Sequence, residues 1–330
     1  MNPARFRNQL GKLTIVGVLT LTGLGGLVAG TLVHQMRKPA ILEVEEYGMQ
    51  EKLDIPTALA ASAKGAVWFT IDSSQALGVI ENGTLRRVDK GSCNVEPLGI
   101  GIDSKGDVWI TDAPATAIKR VTANGEVSAW PLNTGIARLG RLTVAPDDSV
   151  WFAESTAYGI TRLKDGQFKR HEFPPQRGGP FGVAAAADGT VWATMQSGNL
   201  LLRISPDGQV AEFEVPTRSS SPTDIAVDAQ GRPWFIQFRR NKVGVLDKGV
   251  IVEYDVPVAS AGLSGIATAP DGSVWFGMLR ANALGRIRNG KVDVLPFPRP
   301  QARPFSLATD AQGNVWYADI SGYVGKVLTK

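Results

Sequence analysis

The chain has 330 residues, 43% of them apolar, and carries 35 Lys and Arg against 31 Asp and Glu, a formal charge of +4. That length and apolar content support one large buried core plus a short appendage, and exclude a disordered or fibrous chain. Five of the basic residues (Arg5, Arg7, Lys12, Arg37 and Lys38) fall in a head that holds no acid, so the rest has 30 basic residues against 31 acidic ones and no polycationic surface for nucleic acid.

Residues 1–12 form a basic N-terminus, and residues 13–33 (Leu13–Val33) run without a charge for twenty-one positions. Such a stretch is long enough to cross a bilayer. Its basic N-terminal flank predicts that end in the cytoplasm and everything after it on the periplasmic or extracellular side. A cleaved signal peptide ending near Val28-Ala29-Gly30 is the alternative. The length of the run and the Arg37-Lys38 pair beyond it favour an uncleaved anchor. No cysteine stands close after the run, which excludes lipid attachment there. The single cysteine, Cys93, allows no intramolecular disulfide and reads as a small apolar residue. Of the two histidines, His34 falls at the predicted membrane boundary and His171 in a predicted outer strand, so both read as surface residues.

Residues 34–330 are dominated by a repeat. Trp68, Trp109, Trp151, Trp192, Trp234, Trp275 and Trp316 stand 41, 42, 41, 42, 41 and 41 residues apart. Twelve residues before each stands Pro56, Pro97, Pro180, Pro222 or Pro304, with Leu139 and Leu263 in the other two copies, and glycine recurs three residues before it. Short alternating or β-branched apolar runs follow, broken by turns such as Asn82-Gly83, Asp165-Gly166 and Asn289-Gly290. These are hairpin-linked antiparallel strands. Four strands per unit and a period of this length predict an all-β, seven-bladed β-propeller. The last unit ends after its third strand, so Leu42–Tyr47 is predicted to complete that blade by pairing with Tyr323–Leu328. The tryptophans read as core between blades rather than as a sugar-stacking ring.

The unit Pro-x-x-Ile-Ala-x-x-x-x-Gly-x-Val-Trp-Phe, followed by an Ile/Val-Gly-x-Ile/Val strand, resembles the virginiamycin B lyase (streptogramin lyase) family over roughly residues 40–330, most closely from Pro180 to Pro298. The resemblance implies opening of a cyclic depsipeptide antibiotic by metal-assisted elimination at an ester. It also implies histidines directly after the repeat proline and a glutamate three residues after a tryptophan. Here the histidine positions hold Thr57, Leu98, Gly140, Phe181, Thr223, Ser264 and Phe305. The glutamate positions hold Ile71, Asp112, Glu154, Met195, Gln237, Met278 and Asp319. A catalytic alternative, a carbon–oxygen lyase or lactonase-like hydrolase, would have to rest on Asp112, Glu154 and Asp319 around Mg2+ or Ca2+.

The loops at the same rim carry Arg138, Arg141, Arg177, Arg218, Arg239, Arg240, Arg280, Arg299 and Arg303, with Phe181, Phe238 and Phe305 among them. The opposite rim carries Asp147, Asp148, Asp165, Asp188, Asp207, Asp228, Asp271 and Asp310. Arginine's planar fork suits carboxylate or phosphate, and converging positive charge steers anions. All but Arg299 of these arginines form the predicted ligand-binding set. The expected partner is an anionic small molecule or an envelope protein. A purely structural scaffold is the remaining reading.

Overall fold

The computed structural model describes residues 41–72, 74–94, 97–113, 115–132 and 138–328. The predicted membrane segment and His34 lie outside them, and among the described residues no helix is long and apolar enough to cross a membrane. β1 (Val44–Gly48) precedes blade 1, formed by β2 (Ile55–Ala61), β3 (Val67–Asp72), β4 (Ser74–Glu81) and β5 (Thr84–Asn94). Blade 2 is β6 (Ile100–Ile102), β7 (Val108–Asp112), β8 (Ala117–Val121) and β9 (Val127–Pro131). Blade 3 is β10 (Leu139–Val144), β11 (Val150–Glu154), β12 (Gly159–Lys164) and β13 (Gln167–Glu172). Blade 4 is β14 (Pro180–Ala185), β15 (Val191–Met195), β16 (Leu200–Ile204) and β17 (Val210–Glu214). Blade 5 is β18 (Pro222–Val227), β19 (Pro233–Gln237), β20 (Lys242–Asp247) and β21 (Val250–Asp255). Blade 6 is β22 (Leu263–Thr268), β23 (Val274–Met278), β24 (Ala283–Arg288) and β25 (Lys291–Pro296). Blade 7 is β26 (Pro304–Thr309), β27 (Val315–Asp319) and β28 (Tyr323–Val327), with β1 as its outermost strand. Every blade is a four-stranded antiparallel sheet, so the predicted seven-bladed propeller is the observed fold.

The repeat tryptophan occupies the second strand of each blade and is 4–8% exposed. Burying an indole removes on the order of 150–250 Å² from water, roughly 4–6 kcal/mol at about 25 cal/mol per Å². A cation from the third strand lies against several of these rings. Trp109, Trp151 and Trp275 are in register with Arg120, Arg162 and Arg286, whose guanidinium carbons lie 5.7, 5.8 and 5.4 Å from the ring centroids. The residue after the tryptophan sets the next strand. Phe276 opposes Gly285, where a Cβ would fall 2.0 Å from the ring, and Phe69 opposes Gly78 in the same way at 1.9 Å. That is why a glycine faces the phenylalanine in blades 1, 5 and 6, whereas in blade 3 Phe152 faces Thr161.

Indole N–H groups account for five of the aspartates of the lower turns. Trp109, Trp234 and Trp316 donate to Asp103, Asp228 and Asp310 at 2.9, 2.8 and 2.9 Å. The other oxygen of each carboxylate accepts backbone N–H groups of its own turn. Trp151 and Trp275 reach Asp147 and Asp271 through the hydroxyls of Ser149 and Ser273. Burial pushes the Asp310 carboxyl up, but hydrogen bonds from Trp316 and Asn314 outweigh it and hold it below the usual carboxylate range.

The ring closes as predicted. β1 pairs with β28 from Val44↔Val327 to Gly48↔Tyr323, and Leu42 N–H donates to Pro296 O at 3.1 Å. Arg299 locks the joint. Its Nε and Nη2 donate to the two oxygens of Glu46 at 3.1 Å each, and it also donates to Asp319 and to Ser321 Oγ. Its guanidinium carbon lies 4.0 Å from the Tyr323 ring centroid, and Tyr317 OH donates to Glu46 at 2.9 Å. Burial alone would lower the Arg299 pKa, but the Glu46 and Asp319 carboxylates reverse that and raise it.

One side chain spans the central channel. Arg141, on inner strand β10, donates through Nη2 to Asp224 on inner strand β18 at 3.2 Å and through Nη1 to Leu98 O at 3.1 Å. Its guanidinium carbon stands 5.8 Å from the Phe305 centroid, and Asp224 also accepts Ile266 N–H at 3.3 Å. Five blades thus meet at one ion pair, with Arg141 9% exposed.

Three outcomes are expected. Arg299→Ala strands two carboxylates whose side chains are 17% and 0% exposed. It should cost about 3–5 kcal/mol in urea unfolding, and Arg299→Lys should not restore the fork. Arg141→Ala should cost about as much, and adding Asp224→Asn should recover part of the loss; simple additivity in that double-mutant cycle would contradict the bridge. Because the native Asp310 pKa is depressed, its contribution is present above the unfolded carboxylate value and is lost as pH falls through the native one. Thermal stability should therefore decline below about pH 4. Asp310→Asn should flatten that decline while lowering stability at neutral pH by about 1–3 kcal/mol.

Candidate functional site

The upper face is built from two kinds of loop: those leading into each inner strand and the hairpins that follow each tryptophan strand. The seven positions after the repeat proline face this side, and the structure gives each a settled role. Thr57 is buried and bonds to Thr70 at 2.9 Å and to Pro97 O at 3.2 Å. Ser264 donates to Pro304 O in the next blade at 2.6 Å, and Thr223 O accepts the Thr194 hydroxyl. Leu98, Phe181 and Phe305 present partly exposed apolar surface around the channel mouth. At Gly140 a Cβ would lie 2.6 Å from Phe181 O, so no side chain fits without moving an inner strand.

The expected carboxylate set does not assemble. Asp112, Glu154 and Asp319 belong to blades 2, 3 and 7, and each is wholly buried. Asp112 pairs with Lys119 at 2.8 Å. Glu154 accepts from Thr161 and, at 3.3 Å, from Arg170, while its Oε2 finds no donor among the described residues. Asp319 is held by Arg299 and by Ser321 N–H and Oγ at 2.8 and 2.7 Å. Among the described residues no three His, Cys, Asp or Glu side chains converge on a metal position. The residues present therefore do not fit Mg2+ or Ca2+, which needs several convergent oxygens. The physical reason is the burial of the tryptophan strand on both faces, so the acid at its upper end is engaged by the outer strands in blades 2 and 3 and by Arg299 and Ser321 from adjacent loops in blade 7. His171 lies on outer strand β13, stacked on Trp151 at 5.8 Å, with its pKa lowered by burial and by Lys169.

The predicted arginines divide into engaged and open. Arg141 is inside the channel rather than outward-facing, because Asp224 draws it across. Arg177 is exposed but pairs with Glu212 at 2.8 Å. Arg138 is exposed beside β10, its N–H donating to Thr156 at 2.8 Å. Arg218, Arg239, Arg240, Arg280 and Arg303 are exposed and form no ion pair among the described residues. Arg218 lies in the loop into blade 5, Arg239 and Arg240 in the hairpin of blade 5, Arg280 in that of blade 6, and Arg303 in the loop into blade 7.

Backbone bonds fix these loops against one another. Arg239 N–H donates to Ser220 O at 3.0 Å, Arg280 N–H to Ala261 O at 2.9 Å, and Ile320 N–H to Arg303 O at 3.1 Å. Left-handed asparagines staple each hairpin to the following loop. Asn241 (φ 53°) donates to Val256 O and Val258 O at 3.1 and 2.9 Å and accepts Ala261 N–H at 3.1 Å. Asn199 and Asn282 make corresponding bonds to Val215 O and Arg299 O. The three recur at intervals of 42 and 41 residues, a signal the tryptophan alignment passes over. Two clefts lie elsewhere and include none of the predicted arginines. One of about 370 Å³ is at the lower channel mouth beside Asp103 and Ala186. The other, of about 600 Å³, is on the flank between blades 4 and 5 beside Trp192 and Phe213.

A profile of the virginiamycin B lyase family matches residues 31–249 and 203–330. The chain is 33% identical over 156 residues to virginiamycin B lyase of Nocardia farcinica, covering 46% of this chain and 52% of that protein. It thus spans about half the length of that relative. A 49-residue stretch is 35% identical to virginiamycin B lyase of Saccharopolyspora erythraea, covering 15% of this chain and 16% of that one. Among solved structures, a catalytically inactive histidine-to-alanine variant of the Staphylococcus aureus virginiamycin B lyase with quinupristin superposes with a TM-score of 0.82 at 25% identity, over 88% of this chain and 100% of that one. By repeat, blade architecture and sequence, this chain belongs to the virginiamycin B lyase family.

Proposed function

We propose that this chain is a non-catalytic member of its family, an extracytoplasmic propeller that receives an anionic ligand or an envelope partner on its arginine-bearing face. The observation that carries this is the filling of the upper rim. Of the positions that would hold histidine, three are apolar, two are tied by their hydroxyls to the neighbouring blade and one is sterically closed, and the carboxylates of the alternative set are buried and engaged internally. Replacement of a single histidine by alanine accompanies inactivity in the Staphylococcus aureus relative; in this chain none of the seven positions after the repeat proline or its substitute is histidine. General acid–base catalysis needs a group free to reach the substrate proton, and Asp112, Glu154 and Asp319 are not free to do so.

An uncleaved anchor at residues 13–33, a run without a charge, would hold the propeller at the membrane by its N-terminal side.

Incubation of the purified protein with quinupristin, with and without added magnesium, should yield no linearised product by mass spectrometry. Turnover above the buffer blank would overturn the non-catalytic reading.

A further inference from the structure

The five open arginines are arranged for something longer than a small anion. They occupy four separate loops along blades 5 to 7, each pinned by the backbone bonds described above, so their forks lie along an arc. The position on which a compact ligand would centre is the channel mouth, and there the Arg141–Asp224 pair fills the opening. Arg141 is therefore unavailable as the deep cation of an enclosed anion pocket. What remains is a broad surface with cations at its margin and apolar side chains, Leu98, Phe181 and Phe305, around its centre.

Phe238 adds an apolar contact among the charges. It is 46% exposed, directly precedes Arg239, and is held in place by its N–H bond to Ser221 O at 3.2 Å. The neighbouring loop carries two non-glycine residues in the left-handed region, Ser219 (φ 53°) and Ser221 (φ 55°). Such backbone costs energy and recurs where a loop is shaped for contact. Arg240 Nε donates to the backbone carbonyl of Arg218 at 3.1 Å, which fixes the blade 5 hairpin to the loop that carries the other cation. Exposed arginine beside exposed aromatic surface is the composition of protein-recognition sites.

We infer that the occupant is an extended acidic polypeptide segment, whose Asp and Glu carboxylates engage Arg218, Arg239, Arg240 and Arg280 in turn while an apolar side chain packs on Phe238. This rests on the binding reading above and narrows it to one class of partner. Each carboxylate takes one guanidinium fork, and an extended chain advances about 3.3 Å per residue, so alternate acidic residues can serve cations on successive loops.

The test uses the full-length protein and a labelled peptide of Asp and Glu with a single Leu, read by fluorescence anisotropy. A matched peptide of Asn and Gln serves as control. Binding is expected for the acidic peptide only, weakening as salt rises. Arg239→Ala with Arg240→Ala should weaken it roughly tenfold or more, and Phe238→Ser should weaken it as well. Both variants should keep the wild-type melting curve, since these side chains are exposed. Displacement by inorganic phosphate at concentrations equal to the peptide's would overturn the polypeptide inference while leaving anion binding intact. Binding to phosphatidylglycerol vesicles through the same arginines, in place of the peptide, would overturn it in favour of a lipid surface. Retention of the peptide by the arginine variants, or failure of all three probes, would remove the binding reading itself.

Discussion

The ring is closed by one pairing distant in sequence, that of β1 with β28. The cation that fastens it comes from a third segment. Arg299, 253 residues beyond Glu46, brings the loop into blade 7 onto the N-terminal strand and the tryptophan strand together. Without that joint, blade 7 would present an unpaired edge and the inner strands would lose the circular constraint that holds their spacing. The cross-channel pair acts on the same geometry from within. Inner strands of neighbouring blades share no sheet ladder, so side-chain links such as Ser264 to Pro304 O hold neighbours in register, while Arg141–Asp224 ties blade 3 to blade 5 across the channel.

Much of this was legible because it repeats. The tryptophan interval, the repeat proline, the hairpin glycines and the spare strand at the N-terminus are local features copied along the chain, and copies reinforce one another. Arg141 was read as a rim residue, because its meeting with Asp224 is a property of the ring rather than of the repeat. The two occupy the same slot in different blades, two residues after the repeat proline, where Ala58, Gly99, Gly182, Gly265 and Ser306 stand in the others. Two opposite charges in a slot of small residues was the available signal. Assigning Arg141 to the rim from loop position alone missed that a long side chain follows the nearest buried carboxylate.

The acids misled for a related reason. Period analysis places Asp112, Glu154 and Asp319 at the end of the tryptophan strand, which is the correct end of the blade. It does not reveal that the strand is enclosed on both faces, so the carboxylates are drawn outward to Lys119, Arg170 and Arg299. Asp103, Asp228 and Asp310 likewise serve the indoles and their own turns. Much of the charge polarity visible in the sequence is therefore consumed as structure, and what is left over is the open arc on blades 5 to 7.

The placement of β1 also sets the order in which the molecule can become complete. Its partner strand β28 lies roughly 280 residues further along the chain, so β1 must wait for all of that stretch to be made before its ladder exists. Contacts this distant in sequence form slowly because loop closure precedes any gain. During that interval β28 is not yet made and the edges of the growing ring are open to wrong partners. The seam that makes the finished ring edge-free therefore forms only after every blade is made, and the ring's edges stay open to mispairing until β28 arrives.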